Sequence, residues 1–211
     1  MPSLRPAVSR IPSPRAWAGC SLGLALGAAL LWWAPREVFD WQPQWALAQP
    51  WRLWTAAFVH WSPQHLQANL LGCAVVAAFG VAARVSRPWV WAWLAAWPLT
   101  HAALALAPQL QLPLQHYGGL SGVLHAGVVV AAINLAGQAT GRRRLIGGAV
   151  LAGVMVKLLL ERPWHGPTQI IAGWDIALVP LAHVTGAVSG LLCGAAALAL
   201  CNRLAHPHPT R

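Results

Sequence analysis

Two short stretches of this chain carry side chains suited to acyl transfer. Gly119-Leu120-Ser121-Gly122 sets a hydroxyl at the start of an apolar run. Sixty-two residues later, His183-Val184-Thr185-Gly186 sets an imidazole at the start of another. A serine hydroxyl is a weak nucleophile until an adjacent base takes its proton, and histidine is the commonest such base. Glycines around Ser121 permit a tight entry turn and close approach of a substrate backbone. A nucleophile and a base, each at the mouth of a membrane segment, point to hydrolysis of a peptide bond at the membrane.

Three further residues fall at the same level. His65 and Asn69 are four apart, so on a helix they project from one face. His125 follows Ser121 by one turn. A tetrahedral intermediate needs donors for its oxyanion, and the first amides of the helix beginning near Ser121, which lack intrahelical partners, are available. His65, Asn69, Gly119 and His125 are therefore the residues expected to support Ser121 and His183. Each also has an ordinary reading: a helix-start serine can be a cap, and Asn or His in a span can simply bond a neighbouring helix. Asp175 precedes His183 by eight residues in an outer loop, where it reads as solvated, so the constellation is a dyad without an acid.

The elements that must position these groups are helices in a bilayer. The 211 residues are 57% hydrophobic and 9% charged, with fourteen tryptophans; soluble domains carry about 25% charged residues, and Trp favours bilayer interfaces. Charge-free stretches run from Ala16 to Pro35, Leu53 to Ala83, Pro88 to Gly141 and Ile176 to Asn202. At about 20 residues per span, they accommodate an all-α bundle of six transmembrane helices near 17–34, 65–83, 89–107, 119–136, 145–161 and 178–201. The domain covers residues 17–202, with tails at 1–16 and 203–211. The first helix follows Arg5, Arg10 and Arg15 like a signal peptide, but with no suitable small-x-small site after it reads as an uncleaved anchor. The segment from Pro35 to Gln64, dense in Trp, is expected to lie in the interface.

Charge fixes the orientation. Arg5, Arg10, Arg15, Arg84, Arg87, Arg142, Arg143, Arg144, Arg203 and Arg211 fall on one side of the six helices. Arg36, Arg52, Arg162 and all four acids, Glu37, Asp40, Glu161 and Asp175, fall on the other; Lys157 lies within a helix. That bias expects cytoplasmic termini and explains the net charge of +10 without a nucleic-acid partner. Helices two, four and six then begin outside, which brings His65, Asn69, Ser121, His125 and His183 to one depth. Gly186, Gly190 and Gly194 recur every fourth residue, a ridge for close helix contact. Cys20, Cys73, Cys193 and Cys201 lie within spans, match no zinc spacing, and read as packing residues.

These motifs resemble the rhomboid intramembrane serine proteases. The likeness runs in order from Trp51-Arg52-Leu53-Trp54-Thr55 through His60-Trp61-Ser62-Pro63-Gln64-His65-Leu66-Gln67-Ala68-Asn69 and Gly119-Leu120-Ser121-Gly122 to Ala182-His183-Val184-Thr185-Gly186-Ala187-Val188-Ser189-Gly190. The resemblance implies a six-helix bundle with Ser121 as nucleophile and His183 as base. It further implies an oxyanion site of His65, Asn69 and the Ser121 amide, and a first loop ordered by Trp51 and Arg52. Many rhomboids hold a tyrosine where this chain has His125. The stretch Gly119-Leu120-Ser121-Gly122-Val123-Leu124-His125 is similar to the rhombosortase branch, compact bacterial rhomboids associated with substrates ending in a Gly-Gly motif, an apolar helix and basic residues. The implied setting is the bacterial inner membrane with an outward-facing site. The implied partners are membrane-anchored protein substrates and the lipid bilayer. No cofactor is expected. A catalytically silent relative that binds membrane clients is the main alternative; a transporter would want a repeat or broken helices, and a zinc protease His-Glu-x-x-His.

Overall fold

The computed structural model describes residues 14–46, 48–107 and 112–205. Arg5, Arg10, Arg211 and part of the polar turn before Ser121 lie outside the described residues. Six long helices make up the body: α1 (Pro14–Leu30), α4 (Pro63–Ala82), α5 (Arg87–Ala102), α6 (Ser121–Gln138), α7 (Gly141–Leu160) and α8 (Pro180–Ala205). Two single-turn helices, α2 (Arg36–Phe39) and α3 (Arg52–Thr55), fold the segment between α1 and α4. Among the described residues there is no strand, only two isolated bridges.

Four helices, α1, α4, α6 and α8, are long and apolar enough to cross a bilayer, and the chain is an all-helical membrane protein. The other two fall short for visible reasons. α5 has 16 residues before it tightens into a 3₁₀ turn over Ala103–Leu106, less than the roughly 20 that a span takes. α7 is 20 residues long but carries Arg142, Arg143, Arg144 and Lys157.

The chain starts α4 with a recognisable device: Ser62 Oγ accepts the His65 amide at 3.1 Å, with Pro63 in the first turn, where its missing N–H costs nothing. α6 is the hub. It is buried along most of its length and packs against α4, α5, α7 and α8. The α6–α8 contact is the most extensive, because Gly186 and Gly190 of α8 face α6 backbone. A methyl on Gly186 would lie 2.0 Å from Gly122 O, and one on Gly190 2.6 Å from Ala126 O.

Two tryptophans, Trp17 and Trp93, depart from the interfacial expectation. Trp17 and Trp93 are buried and stacked, centroids 4.4 Å apart. Their indoles donate to Val76 O at 2.9 Å and Val123 O at 2.8 Å. Each lies over a glycine, Gly80 and Gly127 respectively, where a Cβ would collide with the ring. A buried indole that finds a carbonyl serves as interhelical packing, so these residues join α1, α4, α5 and α6.

The segment between α1 and α4 is folded rather than merely laid on the interface. Trp41 pairs with Tyr117 through two backbone bonds of 2.8 and 2.9 Å. Buried Arg52 donates through Nη1 to Glu37 O, Asp40 O and Asp40 Oδ1. His116 bonds the other Asp40 oxygen at 2.6 Å. Arg52 thus orders this loop through its side chain, whereas the Trp51 side chain is exposed.

Candidate active site

The turn before α6 sets the site's floor. Gly119 has φ +131°, a backbone conformation that favours glycine, and its amide bonds Ala56 O at 2.9 Å. A Cβ there would sit 2.7 Å from His65 Nε2 and 3.6 Å from Asn69 Nδ2. Both side chains of the α4 face therefore project towards the residue two before Ser121. Leu120 occupies the N-cap position of α6, so Ser121 is the first helical residue and not the cap. Its side chain and the Gly122 amide reach the Tyr117 phenol, which donates to Gly119 O at 3.1 Å. Burial pushes the Tyr117 phenol above its usual value, so it keeps its proton.

The imidazole of His183 is held from two sides. Nδ1 lies 2.8 Å from Glu161 Oε2. Its face stacks on His125 at 4.3 Å between centroids, the rings 16° from parallel. His125 Nδ1 in turn bonds the Ser121 carbonyl at 2.7 Å. A carboxylate can only accept, so Nδ1 of His183 carries a proton, and in the neutral ring Nε2 is then the acceptor. No hydrogen bond joins Ser121 Oγ to His183; both line one cavity of about 1210 Å³, together with His65, Asn69, His125 and Glu161. Catalytic hydrogen bonds are often long before substrate binds.

Asn69 Nδ2 is buried with no hydrogen-bond partner, an open donor in the cavity wall. His65 Nδ1 accepts the Trp61 amide at a long 3.5 Å, which turns Nε2–H, a second donor, towards the turn at Gly119. His60, whose ring lies 4.8 Å from that of His65, bonds Phe58 O at 3.1 Å. Burial lowers its pKa to about 4, partly offset by that bond.

All six residues singled out from sequence, Ser121, His183, His65, Asn69, Gly119 and His125, thus meet around one turn and one cavity. One reading needs correction and another an addition. The constellation is not without an acid, because Glu161, at the C-cap of α7, bonds His183. Asp175 is exposed but engaged: Oδ1 accepts from Ser62 Oγ at 2.7 Å, tying the loop before α8 to the cap of α4. Glu161 was findable, since it ends the fifth expected helix, and the six-span expectation puts that end at the depth where the sixth begins with His183. Among the described residues no group of three His, Cys, Asp or Glu side chains could hold a metal. Neither a protein-family model nor a curated protein matches this chain.

Proposed function

We propose that this protein is an intramembrane serine endopeptidase of the rhomboid type, built on six membrane spans with both termini cytoplasmic and its site facing outward. The observation that carries the reading is the setting of His183. It is stacked by His125 and bonded through Nδ1 to Glu161, in the same cavity as Ser121. A base prepared as the Nδ1–H tautomer, beside a serine that caps nothing, is the arrangement nucleophilic acyl transfer requires.

In this reading Ser121 Oγ attacks the scissile carbonyl and its proton passes to His183 Nε2. Asn69 Nδ2, His65 Nε2 and the first amides of α6 receive the developing oxyanion. The proton then goes from His183 to the leaving amine, and water repeats the sequence in reverse on the acyl enzyme. An extended polypeptide could enter from lipid, because Leu71 and Val75 of α4 line the cavity while remaining largely exposed. A peptide in lipid is helical unless its backbone is otherwise satisfied, so weakly helical, glycine-bearing segments near the outer interface are the favoured substrates. Tails with a Gly-Gly pair, as the rhombosortase resemblance implies, are the first to try.

The test is to incubate the detergent-solubilised chain and Ser121→Ala with anchored substrates bearing such tails, and to locate cuts by mass spectrometry. A cut made equally by both proteins would refute the reading. Unchanged cleavage after both glycines become leucine would refute the rhombosortase specificity alone.

A further inference from the structure

The carboxylate that meets His183 is itself held. Glu161 Oε2 faces His183 Nδ1 at 2.8 Å, and Oε1 is bonded by the ammonium of Lys157, one turn earlier on α7. Glu161 and His183 side chains are 19% and 11% exposed, so the pair is largely shielded from water. The remaining titratable groups around His183 are His125 on α6 and His65 on α4. Neither supplies an anion. An isolated i, i+4 Lys–Glu pair on a helix contributes about 0.3–0.5 kcal/mol and would give no reason for the second oxygen to meet an imidazole on another helix.

We propose that Glu161 is a positioning residue that holds His183 as the Nδ1–H tautomer, and that Lys157 fixes which oxygen Glu161 presents to it. This rests on the serine-protease reading above. The role of Lys157 follows from donor counting. An ammonium has donors only, and imidazole can either donate or accept at Nδ1. When residue 161 is a carboxylate, both partners find an oxygen. When it is glutamine there is one oxygen, and Lys157 takes it because it has no alternative. The amide NH₂ then faces Nδ1 and forces the proton onto Nε2, where it blocks the base.

That logic makes an unusual demand on mutants. Ser121 in the full-length solubilised chain is labelled with a fluorophosphonate, whose reaction needs the same activated hydroxyl but no natural substrate. Wrong-tautomer variants of buried triads lose about 10⁴-fold; for this partly shielded pair Glu161→Gln is expected to slow labelling by about 10- to 100-fold. Lys157→Met alone is expected to slow labelling less than Glu161→Gln does, because the carboxylate still presents an oxygen to Nδ1. The double variant Lys157→Met/Glu161→Gln should recover at least about fivefold over Glu161→Gln, since its amide is free to turn its oxygen to Nδ1. A merely structural role predicts further loss in the double variant. Nitrogen-15 NMR of the imidazoles gives a readout apart from reactivity. The protonated nitrogen of His183, assigned with His183→Ala, should move from Nδ1 to Nε2 in Glu161→Gln and return in the double variant.

Labelling of Glu161→Gln and Glu161→Ala at the parental rate, with Ser121→Ala unlabelled, would overturn the role of Glu161 and leave the protease reading standing. A double variant slower than Glu161→Gln would overturn the role of Lys157. If the parental chain were not labelled at Ser121 at all, the hydrolase reading would fall and this role with it.

Discussion

Replacing Gly186 by alanine adds one methyl where α8 crosses α6. That methyl would lie 2.0 Å from Gly122 O, 2.7 Å from the carbonyl carbon and 3.0 Å from the Cα. Ordinary contact begins at 3.4 Å, so the helices must part by about 1.4 Å at this point. The obstacle is backbone, which cannot rotate away as a side-chain end can. Overpacking of this kind typically costs about 1–3 kcal/mol, and the methyl recovers only about 1 kcal/mol of helix propensity. The consequence for activity should be larger than that for stability. Gly122 adjoins Ser121 and Gly186 lies one turn from His183, so the wedge opens between the proposed nucleophile and base. A displacement of about 1 Å can cost 10²-fold in rate. The same chain supplies a graded series. Alanine at Gly190 would meet Ala126 O at 2.6 Å, and at Gly194 the end of the Ile133 side chain at 2.8 Å, with α6 backbone no nearer than 3.6 Å. At Gly148 on α7 it would meet nothing within 4 Å. Rates of Ser121 labelling and thermal midpoints in one detergent should therefore fall in the order 148, 194, 190, 186, with Gly148→Ala at or above the parent. A Gly186→Ala protein that matched Gly148→Ala in both measurements would refute the account of the α6–α8 contact as a backbone seat for the site.

Asn69 presents the opposite signature: its buried Nδ2 bonds nothing at rest, so Asn69→Ala should leave the thermal midpoint nearly unchanged. It should nonetheless lower kcat by about 100-fold or more, as loss of an oxyanion donor does; equal activity would remove it from the mechanism. His125 stacks but is poorly placed to be a base, so His125→Tyr should keep substantial activity while His183→Ala falls to the level of Ser121→Ala; the reverse pattern would exchange their roles. His60, with a pKa lowered by burial from 6.5 to about 4, stabilises the fold fully above pH 6.5 and progressively less as pH falls towards 4. The loss amounts to at most ~3 kcal/mol; His60→Asn should flatten the fall in thermal midpoint between pH 7 and 4.5, and an unchanged slope would contradict that burial. Reporter fusions after Arg144 should be cytoplasmic and those after Gln115 external, and the inverse would turn the proposed site to the wrong face.

The parts of this molecule legible in sequence are those where one local rule decides. Six apolar periods mark six long helices within a few residues of their ends; four of these are long and apolar enough to cross a bilayer, where a segment has little alternative to helix. The spacing of Gly186, Gly190 and Gly194 declares a contact face because small residues every fourth position have few other uses in a span. The folded segment between α1 and α4 was not legible. Its order depends on Arg52 reaching Asp40 and on Trp41 pairing with Tyr117, contacts between residues 12 and 76 positions apart. No periodicity encodes such pairings. For the same reason the Trp17–Trp93 stack looks, in sequence, like two more interfacial tryptophans.

Glu161 occupies a middle ground that shows how depth should be used. In the six-span expectation the starts of α4, α6 and α8 share one level, and that argument gathers His65, Asn69, Ser121, His125 and His183. The same expectation places the ends of α1, α5 and α7 at that level. Glu161 ends α7, while His183 stands in the first turn of the next long helix, α8. A half-buried carboxylate beside an apolar bundle needs partners, and here it has two, Lys157 one turn earlier and His183 across. In a membrane protein, then, an acid at the end of one helix and a histidine at the start of the next belong to one electrostatic layer. Helix depth decides whether they can meet. The distance between them along the chain does not.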